Sequence, residues 1–138
     1  MRRRRFLATV GASGAAALPG CAALGATGVD YDVGMTAVAF DPPALSVAVG
    51  DEVVWYNNSS RGHTVTAYED ALPEGADYFA SGGYDSEAAA RRAWREEIGG
   101  KLGNGDTFRH TFEVPGVYEY LCIPHEQAGM VGRIEVTE

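Results

Sequence analysis

The segment YLCIPHEQAGMVG, residues 120–132, carries a thiol, an imidazole and a thioether as Cys122, His125 and Met130. Two residues separate the cysteine from the histidine, and four separate the histidine from the methionine. β-Type sequence flanks the segment on both sides, so the spacing predicts a ligand loop at the end of a strand. A thiolate, an imidazole and a weak axial thioether, joined by a second imidazole, make the donor set of a blue copper centre. The chain has three histidines, and His63 is the candidate for the second imidazole. Cys122 must be a thiolate to bind, whereas burial alone raises a thiol's pKa and makes it inert. Zinc on the same cysteine and histidines remains chemically open, and the thioether favours copper.

The elements that must position these residues read as strands. TAVAF (36–40), ALSVAV (44–49), EVVWYN (52–57) and HTVTAY (63–68) are short runs rich in branched and aromatic residues, parted by turn residues. His63 opens the last of these. TFRHTFEV (107–114) alternates Phe108, His110 and Phe112 against Arg109 and Thr111. VYEYLC (117–122) sets Tyr118, Tyr120 and Cys122 on one face, and the final strand points Gly132, Ile134 and Val136 inward. One helix is expected in the long crossover, over DSEAAARRAWREEIGG (85–100). Its cap is Asp85 or Ser86, its stop is Gly99 and Gly100, and Ala90, Trp94 and Ile98 form its apolar stripe. The fold class is all-β: a Greek-key β-sandwich with one short helix in a long crossover. His110 reads as a structural histidine on its strand.

Residues 1–20 read as an export segment, residues 21–30 as a small-residue linker, and residues 31–138 as the folded domain. RRRFL (3–7) resembles a twin-arginine signal. LPGC (18–21) resembles a lipobox, with Pro19 departing from its usual small or branched residue. Lipid on Cys21 would tie the domain to the outer face of the cell membrane. It would also leave Cys122 with no disulfide partner, since the chain has two cysteines. The formal charge is −8, and residues 21–138 hold 7 basic and 19 acidic side chains, a net of −12. So acidic a surface argues against nucleic-acid binding, which requires a basic patch. Asn57 and Asn58 each begin a glycosylation triplet.

CIPHEQAGMVG, the preceding TFEVPGVYEYLC and the N-terminal AFDPPALSVAVGDEVVWYNN together resemble the cupredoxins of the plastocyanin/azurin family. Over residues 31–138 the similarity runs to the halocyanin type. The resemblance implies an eight-stranded sandwich holding one type 1 copper ion, with His63, Cys122, His125 and Met130 as ligands. Plastocyanins often carry Asn after the first ligand, where this chain has Thr64. The implied function is a monomeric, exported one-electron carrier, with a redox donor and acceptor docking transiently at the exposed edge of His125. Pro124, Ala128, Gly129 and Met35 are expected to form the apolar patch around that edge. Copper enzymes need further centres, and one remaining histidine, His110, cannot build them. The alternative is a copper-binding or delivery protein with no place in a redox chain.

Overall fold

In the computed structural model the described residues are 29–138. Residues 1–20, expected as an export segment, most of the expected linker and Cys21 lie outside them. The eight strands, in chain order, are β1 Val33–Met35, β2 Phe40–Asp41, β3 Ala44–Ala48, β4 Glu52–Asn57, β5 Thr66–Ala67, β6 Thr107–Thr111, β7 Gly116–Leu121 and β8 Val131–Thr137. They form two four-stranded sheets ordered β2-β1-β4-β6 and β3-β8-β7-β5. Within the sheets β1 runs parallel to β4 and β3 parallel to β8, and the other pairings are antiparallel. This is the two-layer all-β sandwich expected from the run of short strands.

Period-2 alternation decides what lies between the sheets. On β7, Tyr118 is 2% exposed and Tyr120 and the following Cys122 are fully buried, whereas Val117 and Glu119 face outward. On β8, Gly132, Ile134 and Val136 turn inward and Val131 and Arg133 outward. On β4, Val53 and Trp55 are fully buried, and Val54 on the other face is buried as well. Trp55 is the centre of the aromatic core. Its ring meets Tyr120 edge-on with centroids 5.4 Å apart, and Phe108 at 5.5 Å. His110 takes the structural place expected of it: it stacks on Phe79 at 4.6 Å and meets Phe112 edge-on at 4.8 Å.

Three local expectations are corrected. The first strand lies at 33–35 rather than 36–40. Thr36 N–H and Thr36 Oγ1 both donate to Ala39 O, at 2.9 and 3.1 Å, and this double bond closes a turn where the strand was expected. The strand expected over 63–68 keeps only Thr66 and Ala67 in the ladder with β7. His63 instead exchanges backbone bonds with Leu102, while Val65 O accepts the Ser81 N–H and Val65 N–H donates to Ser81 Oγ, so the long crossover takes over their pairing.

The third correction concerns the helix, α1, Glu87–Glu97. Ser86 caps it, its Oγ accepting from Ala89 N at 3.0 Å. The buried positions are Ala90 and Ala93; Trp94 is half-buried and Ile98 is 51% exposed. The helix stops before Ile98 because the chain must turn at once. Gly99 N–H returns to Ala93 O at 2.9 Å, and a Cβ on Gly99 would run into Tyr84 Oη and the Ala93 methyl. Ile98 is thereby forced to φ 48°, ψ 41°, a left-handed conformation that strains a β-branched residue. Ile98→Gly is therefore expected to stabilise the protein by roughly 0.5–1 kcal/mol, since relief of that strain exceeds the glycine's entropy cost. Urea midpoints of the two proteins check this, and a stability loss would contradict it.

Candidate metal centre

Two neighbouring strands deliver the donors to one end of the sandwich. β7 ends at Leu121, and Cys122 follows it, fully buried. The chain then tightens into a 3-10 segment, Ile123–Ala128, with Pro124 near its start and a kink at His125 (φ −123°, ψ 15°). Gly129 ends the segment at φ 90°, a conformation natural to glycine. Backbone bonds close the loop: His125 N–H donates to Cys122 O at 3.1 Å, Met130 N–H to His125 O at 3.2 Å and Cys122 N–H to Met130 O at 3.0 Å. Cys122 and Met130 are thus paired through the backbone, and both side chains lie in the core.

His63 arrives from the start of the segment that becomes β5. Its Nδ1 lies 3.5 Å from Cys122 Sγ, and His125 Nδ1 lies at the same distance from that sulfur. The ligand-capable atoms of the three residues all fall within 4.8 Å of one another. The two imidazoles stand 4.9 Å apart, centroid to centroid. Among the described residues this is the one cluster of three such groups, and His110 does not join it.

The buried histidine is held from behind. Its Nε2 is 3.1 Å from Ser59 Oγ, and Ser59 in turn bonds the buried Asn57, Oγ to Oδ1 at 2.8 Å. A donor proton on Nε2 toward Ser59 leaves Nδ1 bare on the sulfur side, the tautomer a metal ligand requires. Asn57 also donates through Nδ2 to Arg61 O at 2.7 Å and Leu102 O at 2.8 Å. Its amide is therefore fully engaged in the interior. Of the two glycosylation triplets, only Asn58 presents its residue at the surface.

Thr64 does the work expected of the asparagine common at that place. Its N–H points at Cys122 Sγ at 3.4 Å, and its Oγ1 accepts from Ile123 N–H at 2.9 Å. A further bond, 3.0 Å to Thr66 Oγ1, fixes the hydroxyl. One residue thus ties the sulfur, the loop that follows it and the strand carrying His63. Sequence reasoning left this link open, because a threonine's reach depends on a backbone separation that only the fold reveals.

Burial governs the electrostatics. It pushes the Cys122 thiol up to about 11, with the Thr64 N–H opposing. Burial also holds His63 below its ordinary value, the neighbouring His125 adding to the effect, and it lowers His125 likewise. Both rings are therefore neutral and able to ligate at neutral pH. A dry thiol facing two bare imidazole nitrogens, with a thioether buried beside them, fits a soft cation that displaces the thiol proton. The expected apolar patch needs one correction: Met35 is fully buried on β1 and takes no part in the surface. His125 is half-buried, and Ala128 and Gly129 beside it are exposed.

Two outcomes follow. Thr64→Val removes the acceptor for Ile123 N–H and should cost the metal-free protein about 1–3 kcal/mol, the penalty for a stranded buried donor. Denaturant titration measures it. The raised Cys122 pKa means that the folded state holds the thiol proton more tightly than the unfolded state does. Its stabilising effect is complete below the ordinary value of 9.0 and is lost as pH rises through about 11. Urea midpoints across that window should fall for the metal-free protein, and Cys122→Ala should lack this component of the decline.

Comparison with known proteins agrees with the geometry. A family model described as copper binding proteins, plastocyanin/azurin family, matches residues 27–137. The chain is 33% identical over 138 residues to a chloroplastic plastocyanin of Hordeum vulgare, covering 96% of this chain and 80% of that relative. It is 34% identical over 99 residues to the plastocyanin minor isoform of Arabidopsis thaliana, covering 72% of this chain and 51% of the relative. It thus spans about half the length of the two Arabidopsis plastocyanins it matches. Among solved structures, a purple cupredoxin from Nitrosopumilus maritimus superposes with a TM-score of 0.55 at 25% identity, over 78% of this chain and all of the other. A pseudoazurin from Sinorhizobium meliltoi gives 0.53 at 28% identity, over 77% and 72%. With a matching family model, a shared fold and a donor cluster suited to one copper ion, the chain belongs to the copper-binding plastocyanin/azurin family of cupredoxins.

Proposed function

We propose that this protein is a type 1 copper electron carrier of the halocyanin kind, with His63, Cys122, His125 and Met130 as its ligands. The observation that carries the reading is the cluster itself: Cys122 Sγ between two Nδ1 atoms, each at 3.5 Å, at the rim of a rigid sandwich. Bound copper would supply a one-electron couple. The protein's part is to hold the donors still, so that little rearranges when an electron arrives or leaves. Thr64 and Ser59 serve this by fixing the sulfur and the His63 ring. The sandwich keeps water from Cys122, whose sulfur is completely covered.

Electrons pass through the half-buried His125 in this reading. Ala128 and Gly129 offer the small, flat apolar surface that a short-lived redox encounter uses. The surface of the mature domain is strongly acidic, which suits a basic partner at low salt, while high salt leaves the apolar contact to do the docking. Export by the twin-arginine segment, with lipid on Cys21, would hold the carrier at the outer face of the cell membrane. The separate copper-delivery reading gains no support from this site, because the sulfur and His63 are both covered rather than offered to a receiver.

Adding Cu(II) to the metal-free domain should produce an intense visible thiolate-to-copper band and a narrow hyperfine pattern in electron paramagnetic resonance. Cys122→Ser should abolish the band, and Met130→Ala should keep it with altered shape. Cyclic voltammetry should give a reversible one-electron wave. A colourless copper adduct, or a band that survives in Cys122→Ser, defeats the assignment.

A further inference from the structure

The residue after His125 is gripped by the helix of the crossover. Arg91 on α1 reaches across to Glu126 and binds both carboxylate oxygens, Nη1 to Oε1 at 2.8 Å and Nη2 to Oε2 at 3.2 Å. Tyr68, just past β5, donates its hydroxyl to the same Oε2 at 2.7 Å. Arg91 is itself braced along the helix, its Nε bonding Glu87 Oε2 at 2.9 Å. Glu87 is braced in turn, because it and Glu69 each accept the other's backbone N–H, at 2.9 and 3.1 Å. The chain of contacts therefore runs without a break from the crossover to the ligand loop.

The place of the grip matters. Glu126 directly follows the kink at His125, and its carbonyl accepts the Gly129 N–H at 2.9 Å. Its backbone is thus one of the few fixed points in a stretch that is otherwise held by its own turn bonds. The other imidazole is treated differently: His63 has Ser59 behind its Nε2, whereas no side chain among the described residues hydrogen-bonds His125 Nε2. Apart from its Nδ1 contact with Cys122 Sγ, the His125 ring takes its orientation from its backbone. A bidentate guanidinium–carboxylate pair fixes direction as well as distance, which a single hydrogen bond does not. The pair is half-buried, with side-chain exposures of 29% and 30%, so it is not a fully solvated surface contact.

We propose that Arg91 is a positioning residue for the copper loop: by gripping Glu126 it fixes the backbone that aims His125 at Cys122. Arg91 touches no donor atom of the cluster and acts only through Glu126. Tyr68, just past β5, holds the same carboxylate, so the loop is tied both to α1 and to the end of β5. The crossover, which already pairs with His63 through Leu102, thereby reaches the second imidazole of the site as well. The proposal rests on the ligand assignment above.

The test compares copper-loaded Arg91→Met, Glu126→Gln, Arg91→Lys and the doubly substituted Arg91→Met/Glu126→Gln protein with the unaltered chain. Arg95→Gln, on the exposed side of the same helix, is the control. Arg91→Met and Glu126→Gln should each change the relative intensities of the thiolate-to-copper bands and the hyperfine splitting. They should also speed copper loss to a chelator by up to about tenfold, the low end of what outer partners of a ligand contribute. The double variant should be no worse than the more affected single one, because both break one contact. Arg91→Lys should recover part of the effect and Arg95→Gln should show none. If Arg91→Met unfolds, Glu126→Gln carries the test, since it keeps its size and can still accept from Tyr68. A variant that loses stability yet keeps the unaltered spectrum and copper-release rate would reduce Arg91 to a structural tie and overturn the proposal. If the unaltered chain forms no thiolate-to-copper band, the ligand assignment fails. If it forms one that Arg91→Met and Glu126→Gln both leave untouched, only the positioning role fails.

Discussion

Everything at the ligand end of this molecule depends on the complete burial of Cys122. A thiol without water around it resists ionisation, and this one is pushed up to about 11. Left alone it would be an unreactive core residue. The same dryness keeps His63 and His125 neutral, so the two rings present lone pairs rather than repelling charges. A cation that binds there must expel the thiol proton, and the thiolate so formed is then stabilised chiefly by that cation. The protein's own contribution comes from Thr64, whose N–H lies at 3.4 Å, and from the His125 backbone. Burial thus makes the metal-free site inert and the metal-bound site strongly bonded.

Such burial requires a wall on each side, and the sandwich supplies it. Tyr118, Tyr120 and Cys122 lie on one face of β7 and its continuation, so the strand that fills the core also delivers the sulfur. Trp55 meets Tyr120 edge-on from the facing sheet, with Phe108 packed against Trp55 beside it. Rigidity at the site is therefore the rigidity of the core. The Thr64 N–H adds one direct tie to the sulfur that this core already holds.

Much of this was legible in the sequence, for a physical reason. The loop ligands are close in the chain, so their spacing alone reports a shared site, and the two-residue period of β7 reports that the sulfur points inward. His63 is legible because it opens a strand-type run after EVVWYN, where the resemblance to cupredoxins implies a ligand. What could not be read were links made by reach across the fold. Thr64 to Ile123 spans 59 positions and Arg91 to Glu126 spans 35. Neither distance is encoded in a local pattern. Ile98 departs for the opposite reason: the four-residue recurrence of Ala90, Trp94 and Ile98 is genuine, but the glycine stop one residue later overrides it and leaves the side chain in water. Met35 is expected in the surface around His125, and β1 places it inside, fully buried.

The two imidazoles face opposite demands, and the chain meets them in different ways. His63 is sealed in the core and can be held by its own ring, through Ser59 and the buried Asn57. His125 must keep one edge accessible if electrons are to leave through it, so a partner on that edge would block the route it serves. Its orientation has to come from the main chain instead. The kink at His125, the tight backbone bonds to Cys122 and Met130, and the carboxylate fixed immediately after it all act on that main chain. A ligand that must be exposed and yet immobile is most economically held from the side facing the protein. The crossover helix reaches that main chain through one arginine, Arg91 on Glu126.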